Sequence, residues 1–172
     1  EMESGGFENE ILVSEDANQK ALGPQSLPEE DELQQRKKVL ILCTGNSARS
    51  QIAEAVVNND CWDKWVAYSA GTNPAAVINP YAVKVLEEAG LFHQGEPKSV
   101  EVFRDKDFDL IITVCDNARE TCPLWIGTGN RLHIGFEDPA AVEGSDAEKL
   151  AAFRKTLKLI RAAIPPVLKE YA

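Results

Sequence analysis

The chemistry most visible in this chain lies between Cys43 and Arg49, which bracket Thr44, Gly45, Asn46, Ser47 and Ala48 and are followed directly by Ser50. A thiol and a guanidinium at the junction of an apolar run and a helical pattern suit an oxyanion. Gly45 and Asn46 both tolerate the left-handed backbone that turns successive N–H groups inward, and such a nest at a helix N-terminus holds a tetrahedral anion. Arg49 adds a bidentate fork. The same field is expected to favour a thiolate at Cys43, with a pKa below the usual value of about 8.5. Cys43 then reads as a nucleophile seated in its substrate's cradle, with residues 44–50 binding the oxyanion. The competing reading is a buried structural thiol, with Arg49 capping a carboxylate. The loop lacks the Gly-Lys-Ser/Thr ending of nucleotide-binding loops.

Cysteines recur at 61, 115 and 122. The N-terminus shows neither a secretory nor an organellar targeting pattern, so a cytoplasmic location is expected, where thiols stay reduced and structural disulfides are improbable. No Cys-x2-Cys pair occurs and only His93 and His133 are available, so zinc patterns fail and no metal is expected. Redox or nucleophilic chemistry remains, beside the plainer reading of buried thiols. Asp138, in the segment GFEDPA, reads as an acid or as a turn residue before Pro139, with Glu137 as a rival acid. Cys61, His93 and His133 read as packing, structural or surface groups.

These residues need a scaffold, and the pattern supplies one. Val39 to Leu42 is an apolar run ending at the loop, and Ser50 to Asn59 reads as an amphipathic helix. A second strand fits Trp65 to Ala70, followed by Gly71. A helix fits Pro80 to Ala89, with Pro80 in its first turn and Gly90 at its stop. Leu110 to Val114 is an aliphatic run of the kind buried on both faces of a parallel sheet. A short strand around Arg131 to Ile134 leads into the Asp138 loop. Asp146 to Tyr171 is helical in period, with Pro165 and Pro166 expected to break or kink it. Alternating strands and helices predict an α/β fold, a three-layer sandwich whose four-stranded parallel sheet carries helices on both faces. In such folds ligands bind beyond the carboxyl ends of the strands. Cys43, Cys115 and Asp138 are all expected at that edge.

The net charge of −10 is unevenly spread. Residues 1–35 hold ten acidic side chains against Lys20 alone, while the rest carries 17 basic and 18 acidic residues and is nearly neutral. A nucleic-acid surface is not expected on such a domain. The polar, acidic composition of residues 1–36 predicts a disordered N-terminal extension, and residues 37–172 form one domain. No apolar run approaches the roughly 20 residues of a membrane span.

The segment VLILCTGNSARSQIAE resembles the active-site segment of low-molecular-weight protein tyrosine phosphatases and of the thioredoxin-coupled arsenate reductases that share their fold. The resemblance covers roughly Lys38 to Tyr171. Two later segments favour the reductases: VCDNARETCPLW resembles their redox segment and GFEDPA their acid loop. The resemblance implies that Cys43 attacks arsenate, that Cys115 attacks the thiol-arsenic adduct and expels arsenite, and that Cys122 takes over the disulfide for thioredoxin. Asp138 would protonate the departing oxygen. Thioredoxin is then an external reductant, no cofactor is bound, and a monomer is expected. Phosphatases of this fold place Pro where Gln51 stands, and Tyr residues where Ala140 and Ala141 stand. A tyrosine phosphatase using a phosphocysteine and a non-enzymatic thiol or arsenic-binding regulator are the alternatives. Several family members hold potassium with an Asn, a Glu, a Ser and an Asp. Asn46, Glu54 and Ser69 match, but Lys98 falls where the Asp belongs. Its ammonium is expected to take the ion's place and orient Asn46, unless Lys98 is merely a solvated surface residue.

Overall fold

The computed structural model describes residues 35–116 and 129–172. Most of the acidic extension expected over 1–36 lies outside them, as does Cys122. Four strands, β1 (Lys37–Cys43), β2 (Trp65–Gly71), β3 (Leu110–Thr113) and β4 (Asn130–His133), form a parallel sheet in the order β2-β1-β3-β4. Among the described residues three helices accompany them: α1 (Arg49–Asp60), α2 (Pro80–Glu88) and α3 (Asp146–Tyr171).

The sheet is covered on both faces, as the aliphatic runs predict. Val39, Leu40, Ile41 and Leu42 of β1 and Leu110, Ile111 and Ile112 of β3 have no exposed surface. Burying each such side chain contributes roughly 1.5–3 kcal/mol. Ser69 turns its hydroxyl to Glu54 on α1. Its neighbour Tyr68 therefore faces the opposite layer, where it meets Phe103, at the end of the short 3₁₀ turn Val100–Phe103, and Phe108, both edge-on.

Local signals set the helix ends. The Asn79 side chain accepts from the Tyr81 amide ahead of Pro80, and Gly90 leaves α2 at φ +70°. Ser145 caps α3 by accepting from the Glu148 amide. Arg154 and Arg161 then clamp α3 to its neighbours through two-pronged bonds to Glu88 on α2 and Asp60 on α1.

Two expectations fail. Helix α1 is not amphipathic: Ser50 through Val57 are all buried, because the helix lies against β1 and β2 and packs against α2 and α3. Its polar residues Gln51 and Glu54 must find partners inside the protein. Of the break or kink expected at Pro165 and Pro166, the break does not occur: α3 runs on to Tyr171. The carbonyls they deprive of partners belong to Arg161 and Ala162, whose exposed positions let water satisfy them. On the opposite stripe Ile160, Ile164 and Leu168 stay buried and hold the helix in place. Among the described residues no helix is long and apolar enough to cross a membrane.

Candidate active site

The segment 43–49 leaves the carboxyl end of β1 and runs into α1, and its shape follows from where its carbonyls go. Those of Cys43, Thr44, Gly45 and Ser47 accept hydrogen bonds from Thr72, Asn73, Ala75 and Asn79, at 2.8–3.3 Å. In a trans peptide the carbonyl of one residue and the N–H of the next point in opposite directions. The amides of Thr44, Gly45, Asn46 and Ala48 are therefore turned away from the 72–79 segment, toward the loop's concave side. This is the nest the sequence predicts. Only Asn46, at φ +51°, takes the left-handed conformation. Gly45, which would tolerate it as well, does not.

Gly71, at the end of β2, makes room for this loop. A side-chain carbon there would lie 2.5 Å from the Thr44 carbonyl oxygen and 3.1 Å from Asn46. Backbone atoms cannot yield as a flexible side chain would, so the position admits nothing larger than Gly. The residue was legible in sequence only as the end of a strand.

Arg49 opens α1 and donates from Nη1 to the Phe136 carbonyl at 3.0 Å. Its Nη2 lies 3.9 Å from Asp138 Oδ2, and its Nε is buried without a hydrogen-bond partner among the described residues. Asp138 takes the turn position of one sequence reading, and its second oxygen faces Arg49. Oδ1 caps the 3₁₀ turn Pro139–Ala141 by accepting from the Ala140 amide, while Oδ2 faces the guanidinium. Its side chain is 45% exposed, so the pair is worth little as stabilisation. Its significance is placement of a carboxyl at the mouth of the loop. Glu137 is exposed.

The structure brings Cys43 and Cys115 together. Both are buried, at the carboxyl ends of the adjacent strands β1 and β3, and each lies within the other's electrostatic reach. The Thr44 hydroxyl lies 3.4 Å from Cys115 Sγ. The proximity of Cys115 corrects the expected pKa of Cys43. The bond to Cys115 and burial push the Cys43 thiol up, against the opposing pull of Arg49 and the Thr44 amide. Two adjacent sulfurs cannot both carry full charge in a buried site, so loss of a proton from one opposes its loss from the other. Cys61 packs half-buried against the core, away from this cluster. His133 bonds Thr113 Oγ1 at 2.8 Å and Asp116 Oδ1 at 3.0 Å, bridging β3 to the residue after Cys115.

Behind the loop lies a buried polar network. Asn46 Nδ2 donates to Ser50 Oγ at 2.8 Å and to Ser69 Oγ at 2.9 Å, and Ser69 donates to Glu54 Oε2 at 3.2 Å. Asn46 Oδ1 accepts from the Lys98 backbone amide at 3.0 Å and from Gln51 Nε2 at 3.1 Å. The Lys98 ammonium does not orient Asn46, contrary to expectation. It donates to the Glu96 carbonyl at the surface, and Lys98 supports the loop through its main chain. A resident cation does not fit these residues. Asn46 Oδ1 already faces two N–H donors, the Ser69 hydroxyl both accepts and donates, and His93 Nε2 lies 3.6 Å from Glu54 Oε2. Burial raises the Glu54 carboxyl to about 7, against the smaller pull of Lys98 and Ser69. Burial first, then Lys98, lowers His93. The His93–Glu54 approach is therefore a neutral imidazole beside a reluctant carboxylate. Sequence reasoning placed Asn46, Glu54 and Ser69 here but missed Gln51 and His93.

Comparison with known proteins bears on what such a site does. Residues 38–171 match the family model described as low molecular weight phosphotyrosine protein phosphatase. An arsenate reductase of Halalkalibacterium halodurans is 38% identical over 138 residues, covering 80% of this chain and 96% of that protein. An arsenate reductase of Bacillus subtilis is 37% identical over 142 residues, with the same coverage. Among solved structures, an arsenate reductase from Archaeoglobus fulgidus shares 33% identity at a TM-score of 0.54, covering 71% of this chain and 98% of that one. A thioredoxin-dependent arsenate reductase from Corynebacterium glutamicum shares 26% identity at a TM-score of 0.60, covering 91% and 68%.

Proposed function

The chain belongs to the low molecular weight phosphotyrosine protein phosphatase family, and on that premise we propose that it reduces arsenate to arsenite by a three-cysteine relay that thioredoxin regenerates. The observation that carries this reading is a second buried cysteine, Cys115, just past the end of β3 and beside Cys43 at the end of the adjacent β1. A phosphatase that returns its cysteine by hydrolysis has no use for a second thiol beside the first. A reductase requires one, because two electrons must leave the protein as a disulfide.

The steps are those the resemblance implies, and the positions of Cys43, Arg49, Asp138 and Cys115 support them. The loop amides and Arg49 hold arsenate, and the Cys43 thiolate bonds to arsenic as one oxygen leaves as water, with a proton from Asp138. That adduct removes the negative charge from Cys43 and with it the repulsion that kept Cys115 protonated. The nucleophile of the second step is thus released by completion of the first. The Cys115 thiolate attacks Cys43 Sγ, the sulfur–arsenic bond breaks, and its electron pair goes to arsenic, reducing As(V) to As(III). Cys122 then attacks Cys115 Sγ, which frees Cys43 and leaves a Cys115–Cys122 disulfide. Thioredoxin, as a dithiol, reduces it. Water attack on a phosphocysteine would give weak aryl phosphatase activity with the same Cys43, Arg49 and Asp138.

Arsenate-dependent NADPH loss in the presence of thioredoxin and thioredoxin reductase tests the proposal, run beside hydrolysis of an aryl phosphate. Cys43→Ser should abolish both activities. Cys122→Ser should stop sustained turnover when thioredoxin is the sole reductant, and mass spectrometry of the arsenate-treated wild type should find Cys115 joined to Cys122. Vigorous phosphate hydrolysis without arsenate-dependent NADPH loss would instead make the protein a phosphatase. Neither activity, with thiols that still bind arsenic, would leave it a regulator.

A further inference from the structure

The backbone of Asn46 is the strained point of the anion loop. A non-glycine residue at φ +51° persists only where its surroundings over-determine it. Its side chain is fully satisfied, with both amide hydrogens donated and the oxygen accepting twice. Its backbone carbonyl accepts from Gln51 Nε2 at 3.0 Å. The same Nε2 also lies 3.1 Å from Asn46 Oδ1 and 3.2 Å from the Glu96 carbonyl. One amide group on α1 therefore grips both oxygens of Asn46 and ties them to the segment after α2.

Orientation of that amide is not left to chance. Three oxygens surround one end of Gln51, so its NH2 must face them and its Oε1 must face the other way. There Oε1 meets His93 Nε2 at 2.7 Å. Only a donor fits, so His93 carries its proton on Nε2. Gly95 keeps this contact open: a side-chain carbon there would lie 2.6 Å from Gln51 Oε1 and 2.8 Å from His93 Nε2. Gln51 has no exposed surface and the His93 side chain has 8%, so neither is paired by water instead.

We propose that Gln51 and His93 are positioning residues for the anion loop: Gln51 clamps Asn46 in its left-handed conformation, and His93 fixes the direction of the clamp. They touch neither the anion nor the reacting sulfurs. The effect reaches the substrate through the Asn46 backbone, whose amide is one of those turned toward the concave side of the loop. The inference rests on the anion-binding role of that loop. It does not require that the bound anion be reduced.

Inorganic phosphate is the probe, measured as a competitive inhibitor of aryl phosphate hydrolysis and directly by calorimetry, without any reductant. Gln51→Met keeps the length and volume of the side chain but donates nothing, and should weaken phosphate binding about tenfold, the loss expected for one or two buried hydrogen bonds. Gln51→Glu is closer in shape, yet presents an oxygen to three oxygens, and should be worse than Met at pH 8. Gly95→Ala, in the half-buried segment that follows α2, should reproduce the Met phenotype without altering α1. His93→Asn, whose amide can still donate, should retain more affinity than His93→Leu. KM for the aryl phosphate should rise more than kcat falls in every affected variant. Wild-type phosphate affinity in both Gln51→Met and Gly95→Ala would overturn the proposal. So would losses that merely follow the melting temperatures, with Glu no worse than Met. If the wild type binds phosphate but shows no arsenate-dependent turnover, the reductase reading fails and the positioning role stands or falls on the variants alone.

Discussion

Replacing Cys115 with Ala should collapse the ionisation of two coupled thiols into a single step at Cys43. In the wild type one proton leaves the pair first, and the second must leave against an adjacent negative sulfur. Two unit charges about 4 Å apart repel by about 4 kcal/mol at an effective dielectric constant near 20. That energy separates the two steps by about three pH units. The sign is set by the contacts: the Cys115 bond and burial push Cys43 up, while Arg49 and the Thr44 amide pull it down. Without Cys115, the like charge disappears, and only Arg49, Thr44 and burial remain. Iodoacetamide alkylation read site by site by mass spectrometry separates Cys43 from Cys61 and Cys122. The wild type should show one reactive equivalent shared between Cys43 and Cys115 across the neutral range, and a second appearing only in strong alkali. Cys115→Ala should show one sigmoid, at Cys43, lying between them. Cys43 profiles that superimpose in the two proteins would mean that the thiols are not coupled, and the ordered release of Cys115 would lose its basis.

Two further outcomes follow from the loop's supports. Glu54 titrates near 7 in the folded protein against an ordinary 4.5. Its folded pKa is raised, so its contribution to stability is complete below the unfolded value and is lost as pH rises through about 7. The full loss is about 3 kcal/mol as an upper figure. Glu54→Gln should therefore gain on the wild type in urea midpoint between about pH 5 and pH 8; a difference that stays flat with pH would contradict the buried carboxylate. Gly71→Ala drives a methyl into the Thr44 carbonyl and should cost about 1–3 kcal/mol, with phosphate affinity falling more than tenfold as the loop deforms. An alanine variant with wild-type affinity would show that the loop can yield where the packing says it cannot.

The sheet and the thiol loop were legible in the sequence for a physical reason. Val39 to Leu42 must be buried on both sides, and Asn46 and Arg49 carry their chemistry in their own side chains. The convergence of Cys115 and Asp138 on the loop follows once the strands are parallel, because each lies just past a strand's carboxyl end. Helix α1 misled because its period looks amphipathic when Gln51 and Glu54 are counted as solvent-facing. Nothing in a linear pattern says that α2 and α3 will cover that face as well. Gln51 and His93 are 42 residues apart, and their meeting depends on how the chain returns after α2, which no local rule encodes. The failed role for Lys98 has the same origin: position was inferred correctly, but whether a residue acts through its ammonium or its amide is decided by the path of the backbone.

That failure changes how the loop is held. A cation, or an ammonium in its place, would draw Asn46 Oδ1 by charge, and the grip would weaken with salt and with competing ions. Here the oxygen is held by two N–H donors, one from the backbone and one from an amide that cannot ionise. Neutral buried hydrogen bonds are screened little by salt, and their strength does not depend on a dissolved partner. The titrating group, Glu54, is reached from Asn46 only through Ser69. Because the Ser69 hydroxyl can rotate to accept from a protonated carboxyl or donate to an ionised one, a change in Glu54 need not release Asn46. Equal concentrations of KCl and NaCl should therefore support equal phosphate affinity, and that affinity should hold steady while Glu54 titrates. A steep preference for potassium would require an oxygen cage that the Gln51 and Lys98 donors already fill.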